Sequence, residues 1–324
     1  MIQDPGDRSV AVAHTPNPAL NGYPAKPESA GLPPRPLYSV CLELRQKVDN
    51  FLAENPKTAI LRDVQVRVRE AIGVVDEAFR RYGPDEISIS YNGGKDCLVL
   101  LIIILACLAR RYPPPSEDQP SQTPDGSADP GRFPDKFQAV YIVSLHPFSE
   151  IDEFVVSSSA EYHLEVARYE LGMKQGLESY LADRPNIKAI FVGTRRTDPH
   201  GEKLTNFDPT DAGWPDFMRV HPVIDWHYAE IWAVSFNVHR VLQQDEERMQ
   251  VSGGGGREAL TQRQFIRHLD IPYCPLYDQG YTSLGGTKDT HPNPHLKRQG
   301  SNGGGFLPAY ELIGDDEERL GRDR

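Results

Sequence analysis

Ser90-Tyr91-Asn92-Gly93-Gly94-Lys95-Asp96-Cys97 joins a short strand, Ile87 to Ser90, to an apolar run from Cys97 to Ala109. Read as strand, turn and helix, it decides the fold. Two glycines let the backbone approach an anion without Cβ obstruction, the helix directs N–H groups and its positive dipole end there, and Lys95 adds charge. The turn therefore reads as a phosphate cradle, although a Gly-Gly-Lys turn taken alone is equally a tight turn. Asp96 is either a routine first-turn carboxylate or, beside bound phosphates, a Mg²⁺ ligand. The Walker A spacing Gly-x-x-x-x-Gly-Lys-Ser/Thr does not occur, which excludes that class of NTPase.

Outward from the turn, Val40, Cys41, Leu44, Val48, Phe51 and Leu52 fall at helical spacing, as do Val68, Ala71, Ile72, Val75, Ala78, Phe79 and Tyr82. Two amphipathic helices thus precede the first strand. Strands are expected at Phe137–Val143, His163–Arg168 and Ala189–Gly193. Helices are expected from Ser149, with Ser149 and Asp152 near capping-box spacing, around 173–182, and from Trp226 to Leu242. Alternation of this kind predicts an α/β fold, a mostly parallel sheet with helices on both faces. Ligands of such sheets bind beyond the carboxyl ends of the strands, where Asn92–Asp96 and Thr194-Arg195-Arg196-Thr197-Asp198 both lie. Residues 1–36 are rich in Pro, Ala, Gly and Asn and read as a disordered tail, while 113–135 and 245–263 read as polar insertions. The organisation expected is a nucleotide-binding domain over 37–300 and a C-terminal segment over 301–324.

The chain has 324 residues and a net charge of −11 with no block of Lys/Arg, so generic nucleic-acid binding is disfavoured. Its four cysteines show no CxxC spacing and no disulfide density, which fits a reducing cytoplasm. The apolar run of 13 residues at 97–109 is short of the roughly 20 that span a bilayer, and the first ten residues do not read as a signal peptide. His291 and His295 are separated by prolines and form no metal pair. Trp226 and Trp232 read as core, and Cys97 and Cys107 as buried helix residues.

The cradle resembles the pyrophosphate loop of the adenine-nucleotide α-hydrolase superfamily, with Asn92 and Cys97 in place of that loop's usual serines. Within it the chain resembles the eukaryotic-type FAD synthetases, related to phosphoadenylylsulfate reductases. Segments in the same order support this: Phe191–Pro199, Thr210-Asp211 with Trp214–Phe217, His221–Trp226, Ile271–Gly285, and Pro308–Leu312 followed by Glu318-Arg-Leu-Gly-Arg322. The resemblance implies transfer of AMP from ATP to FMN, giving FAD and pyrophosphate, by a cytoplasmic monomer with Mg²⁺ and small-molecule substrates only. It implies Ser90, Tyr91, Asn92, Gly93, Gly94, Lys95, Arg195 and Arg196 at the nucleotide, with Asn92, Lys95, Asp96 and Asp198 catalytic and Asp96 and Asp198 as metal ligands. Asp211, Trp214, Asp216, Tyr281, Ser283, Arg319 and Arg322 would hold the flavin. Alternatives remain: a phosphoadenylylsulfate-reductase-like enzyme, for which no cysteine follows Cys274; an RNA-thiolating or amide-forming ATP pyrophosphatase; and a non-catalytic flavin or nucleotide sensor.

Overall fold

The computed structural model describes residues 35–56, 58–112, 133–232, 269, 271–298 and 305–323. Helices α1 (Leu37–Ala53) and α2 (Ala59–Arg81) precede β1 (Ile87–Ser90), which leads through the Gly-Gly turn into α3 (Lys95–Arg111). Then follow β2 (Phe137–Ile142), α4 (Ser149–Glu161), β3 (Leu164–Tyr169), α5 (Met173–Asp183), β4 (Ala189–Phe191), β5 (Phe207–Pro209), β6 (Met218–Val220) and α6 (Tyr228–Trp232).

The apolar run of α3 has no polar face because it has no solvent face. Every residue from Cys97 to Ala109 is buried, with α1 and α2 both packed on it. The six strands are ordered β3-β2-β1-β4-β6-β5, all parallel except β5, which runs antiparallel to β6. From β1 the chain winds outward to β3, then returns to place β4 on the other side of β1. Right-handed crossovers send the helices of these two directions to opposite faces. Accordingly Ile87, Ile89, Ala139 and Phe191 enter the main core with α1 to α4, and Val140 and Ile190 meet Leu177 and Tyr180 of α5. The direction reverses between β1 and β4, which is where open α/β sheets place ligands.

Several expectations need correction. Ser149 is the first residue of α4 rather than its cap; Phe148 occupies that position with no side-chain bond, and the Ser149 hydroxyl donates to Glu150 Oε2 at 3.1 Å instead. The third strand lies one residue later, ending at Tyr169. The β5–β6 hairpin was not anticipated, because strands of three residues are too short to show a period. The insertion placed at 113–135 ends before Phe133, which is 4% exposed and packs edge-on against Tyr38 with ring centroids 5.0 Å apart. Residues 1–34, 113–132, 233–268 and 299–304 lie outside the described residues. With them lie the expectations for the tail up to residue 34, for 113–132 and 245–263, and for the end of the helix expected from Trp226, whose described part begins at Tyr228. No helix among the described residues is long and apolar enough to cross a membrane.

Candidate functional site

The turn after β1 and the loop after β4 meet at the topological switch. Gly93 has φ +71°, and a Cβ there would stand 3.0 Å from Val155 Cγ2 and 3.2 Å from Phe154 Cδ1, so α4 closes over the turn as tightly as glycine allows. A Cβ on Gly193 would lie 3.0 Å from the backbone nitrogen of Cys97. The exit of β4 is therefore in backbone contact with the start of α3. Asn92 Oδ1 accepts from the Gly94 N–H and from the Cys97 thiol, both at 3.0 Å, and so shapes the turn from within. Gly94 caps α3, and the Lys95 N–H donates to the Tyr277 hydroxyl at 2.8 Å. Two cradle donors are thus already partnered. Tyr91 turns its ring into the core and donates to Ser158 Oγ at 2.8 Å, which leaves only its backbone to face the turn, while Ser90 is half-buried at the strand end. Burial pushes the Cys97 thiol up to about 12, so it is no nucleophile at neutral pH.

Lys95 and Arg195, 3% and 1% exposed, are the buried cations of this site. The Lys95 ammonium donates to Asp96 Oδ2 at 2.9 Å and to Glu318 Oε1, and lies 5.1 Å from the centre of the Tyr228 ring. Arg195 pairs with Glu318, with Asp96 Oδ1 at 2.8 Å, with Asp198 at 3.6 Å and with Asp315 at 3.8 Å. Burial works against both cations, but Asp96 and Glu318 outweigh it and hold each above its ordinary range. Burial likewise raises the Asp96 carboxyl, but Lys95 and Arg195 bring it below its usual value. Asp198 accepts from the Arg195 N–H at 2.8 Å, fixing the turn that presents it.

Four carboxylates around two cations leave a formal excess of negative charge. A polyphosphate would need a counter-ion here. The side chains of Asp96 and Asp198 are 22% and 24% exposed. Asp96 Oδ1 is paired with Arg195 Nε, and all the donors are hard carboxylate oxygens. They fit Mg²⁺ held by one or two carboxylates together with substrate phosphates. Among the described residues no group of three ligands forms a self-sufficient metal cage.

The other residues expected from the sequence separate. Arg196 turns away from Arg195, spending its donors on Asp225 Oδ1 at 2.6 Å and on the carbonyls of Glu202 and Leu204, both at 3.0 Å. Asp211, Trp214 and Asp216 are exposed in the turn between β5 and β6. The register sets this turn at the amino end of β6, whereas the Gly-Gly turn leaves the carboxyl end of β1, so a ligand touching both must run along the sheet. Tyr281 is half-buried and edge-on to Phe148 at 5.4 Å, and Ser283 is half-buried. Arg322 donates to the Leu284 carbonyl at 2.9 Å, whereas Arg319 is exposed with no side-chain partner among the described residues. Residues 315–321 form successive turns rather than the helix that would align the two arginines. A groove of about 500 Å³ between α2 and the hairpin strands, floored by Phe207 and Trp226, includes none of these candidates.

Reasoning from sequence missed Glu318, Asp315 and Tyr277. The two acids sit in the run Asp315–Glu318, which looks solvated. Nothing in such a run signals that one Glu returns to a lysine 223 positions away.

The phosphoadenosine phosphosulfate reductase domain family matches residues 171–238 and 259–292. A probable FAD synthase of Schizosaccharomyces pombe is 32% identical over 278 residues, spanning 86% of this chain and 87% of that protein. The crystal structure of Candida glabrata FMN adenylyltransferase with FAD and inorganic pyrophosphate aligns with TM-score 0.69 and 26% identity, over 91% of this chain and 99% of that one. The same enzyme with FMN and the ATP analogue AMPCPP aligns with TM-score 0.68 and 25% identity, over 89% of this chain and 100% of that one.

Proposed function

This chain belongs to the FAD synthase family, and we propose from that premise that it is an FMN adenylyltransferase, transferring AMP from ATP to FMN to give FAD and pyrophosphate. The observation that carries this is similarity along about nine-tenths of the chain to an enzyme solved with FMN and an ATP analogue and with FAD and pyrophosphate. In the reaction a phosphate oxygen of FMN forms a bond to the α-phosphorus of ATP, and the bond to the bridging oxygen breaks as pyrophosphate leaves with its electrons. A phosphate monoester has its second pKa near 6, so the nucleophile is largely ionised at neutral pH and needs no base. The protein's task is positioning and charge.

Asp96 and Asp198 would hold Mg²⁺, which when bound supplies charge neutralisation at the phosphates. Lys95 and Arg195 are too buried to wrap a phosphate as surface cations do. They act by holding Asp96 ionised and aimed, and through their fields in a low dielectric. Asn92 sets the turn, and Arg195 is favoured over Arg196 as the arginine of the site. Tyr281, Ser283, Arg319 and Arg322 are proposed for the flavin. So are Asp211, Trp214 and Asp216, whose assignment rests on the family pattern. The substrates are small molecules. Purified protein incubated with MgATP and FMN is expected to form FAD and pyrophosphate in equal amounts, resolved by chromatography. Absence of FAD with folded protein would defeat the proposal.

A further inference from the structure

Glu318 is 4% exposed. A carboxylate tolerates such burial only when its charge is matched, and here two cations match it: one oxygen takes Lys95 and the other takes Arg195. Those same cations grip Asp96 from both of its oxygens. Glu318 thus shares both cations with the carboxylate proposed for chemistry, and Arg319 follows it in the chain. We infer that Glu318 is a positioning residue for adenylyl transfer, fixing Lys95 and Arg195 so that they hold Asp96, and joining the segment bearing Arg319 to the Gly-Gly turn. This rests on the adenylyltransferase reading.

The backbone around Glu318 argues for a permanent brace over a plug that substrate displaces. Its carbonyl accepts from Thr282 Oγ1 at 2.6 Å, the Glu317 carbonyl accepts from Asn293 Nδ2 at 2.8 Å, and the Gly321 carbonyl accepts from the His291 N–H at 2.8 Å. Asn293 Nδ2 also donates to Thr282 Oγ1 at 3.0 Å, and Thr282 and Asn293 are themselves 1% and 0% exposed. A segment held at Glu317 and Glu318 from a buried layer, and again at Gly321, does not swing out with each turnover.

Glu318→Gln keeps the shape and removes the charge. It is expected to lower kcat at least about tenfold while KM for FMN and the FMN dissociation constant stay within about threefold, because the bonds from Thr282 and Asn293 keep the segment bearing Arg319 and Arg322 in place. Glu318→Asp, which keeps the charge on a shorter arm, should recover part of the lost kcat. Merely structural damage would move affinity and melting temperature together and show no recovery with Asp. A folded Glu318→Gln protein with kcat within about twofold of wild type overturns the inference, as does a loss confined to FMN affinity. Should Glu318→Gln fail to fold, Thr282→Val decides. Loss of the hydroxyl that holds the Glu318 carbonyl should lower kcat about threefold or more with FMN affinity unchanged, and an unchanged kcat overturns the role. Wild type run alongside separates the two failures. No FAD from wild type defeats the adenylyltransferase reading, whereas FAD from wild type and Gln variant alike defeats only the brace.

Discussion

The switch-point site and the β5–β6 hairpin turn both present an Asp near an Arg, and the two pairs are built in opposite ways. Arg195 and Asp96 stand 2.8 Å apart with the arginine side chain 1% exposed, whereas Arg219 and Asp211 are 3.4 Å apart with the aspartate side chain 75% exposed. Removing one partner of a buried pair strands a charge at a cost of about 3–5 kcal/mol, and an exposed pair contributes about 0–1 kcal/mol. The same two residue types therefore make an interlocked device in one place and a solvated surface in the other. Solvent access, set by where the strand order reverses, separates the two.

The sharpest test of that contrast is Asp96→Ala beside Asp211→Ala. Loss of Asp96 is expected to reduce adenylyl transfer about a hundredfold, or about 2.7 kcal/mol of barrier. Loss of Asp211 should leave thermal stability unchanged. Turnover by high-performance chromatography and melting by circular dichroism measure both, and near-wild-type turnover in a folded Asp96→Ala protein would erase the distinction.

The hairpin also has a buried root. His221 follows β6, is 1% exposed, and has Asp208 3.9 Å away. Its N–H and carbonyl are both paired with Asn206. Burial, against a weaker pull from Asp208, lowers the imidazole from 6.5 to about 4. The folded protein thus favours neutral histidine. Its contribution is whole above pH 6.5 and falls as pH drops toward 4, because the unfolded chain takes up the proton first. Between pH 7.5 and pH 5 this amounts to about 2 kcal/mol. Urea unfolding at the two pH values should show that slope in wild type and a flatter one in His221→Gln. Equal slopes would mean that other groups set the acid limit.

Next in size is Asn92→Ala. Asn92 is exposed yet holds the Gly94 N–H and the Cys97 thiol. Its removal should loosen the turn without opening the core, lowering turnover about tenfold, or about 1.4 kcal/mol, at an unchanged melting temperature. A lower melting temperature with full activity would make Asn92 a stabilising cap rather than part of the catalytic geometry.

Legibility in the sequence followed the range of the interaction. The strand at Ile87–Ser90 and the helix from 97 to 109 could be read because their signals are local: an apolar run ended by Arg110-Arg111 and a turn marked by paired glycines. Gly193 was quoted in a motif, but its reason, a backbone approach to Cys97, exists only once β4 lies beside β1. The arginine pair at 195 and 196 offered no sequence ground for choosing, and packing chose Arg195 by burying it against Asp96 and Glu318. Glu318 stayed hidden because it sits in an acidic run whose composition suggests solvent.

The smallest expected effect concerns Arg319 and Arg322. Arg322 is committed, donating to the Leu284 carbonyl and standing 3.5 Å from Asp289, whereas Arg319 is exposed and uncommitted among the described residues. A planar guanidinium free of partners can stack on a planar ring and still donate to its carbonyl oxygens, which lysine cannot imitate. Arg319→Ala should therefore weaken FMN binding about fivefold, or about 1 kcal/mol, leaving ATP affinity and melting temperature alone. Arg322→Ala should lower the melting temperature as well, since the carbonyl of Leu284 loses its donor. If the hairpin also reaches the flavin, Asp211→Ala and Trp214→Ala will show the Arg319 pattern, weaker FMN with unchanged stability, despite lying at the opposite end of the sheet. FMN fluorescence quenching for each variant, with nucleotide binding titrated separately, reads these apart. Unchanged flavin affinity in Arg319→Ala would return that residue to the solvated surface, and the same result in both hairpin variants would leave the hairpin as the edge of the sheet and nothing more.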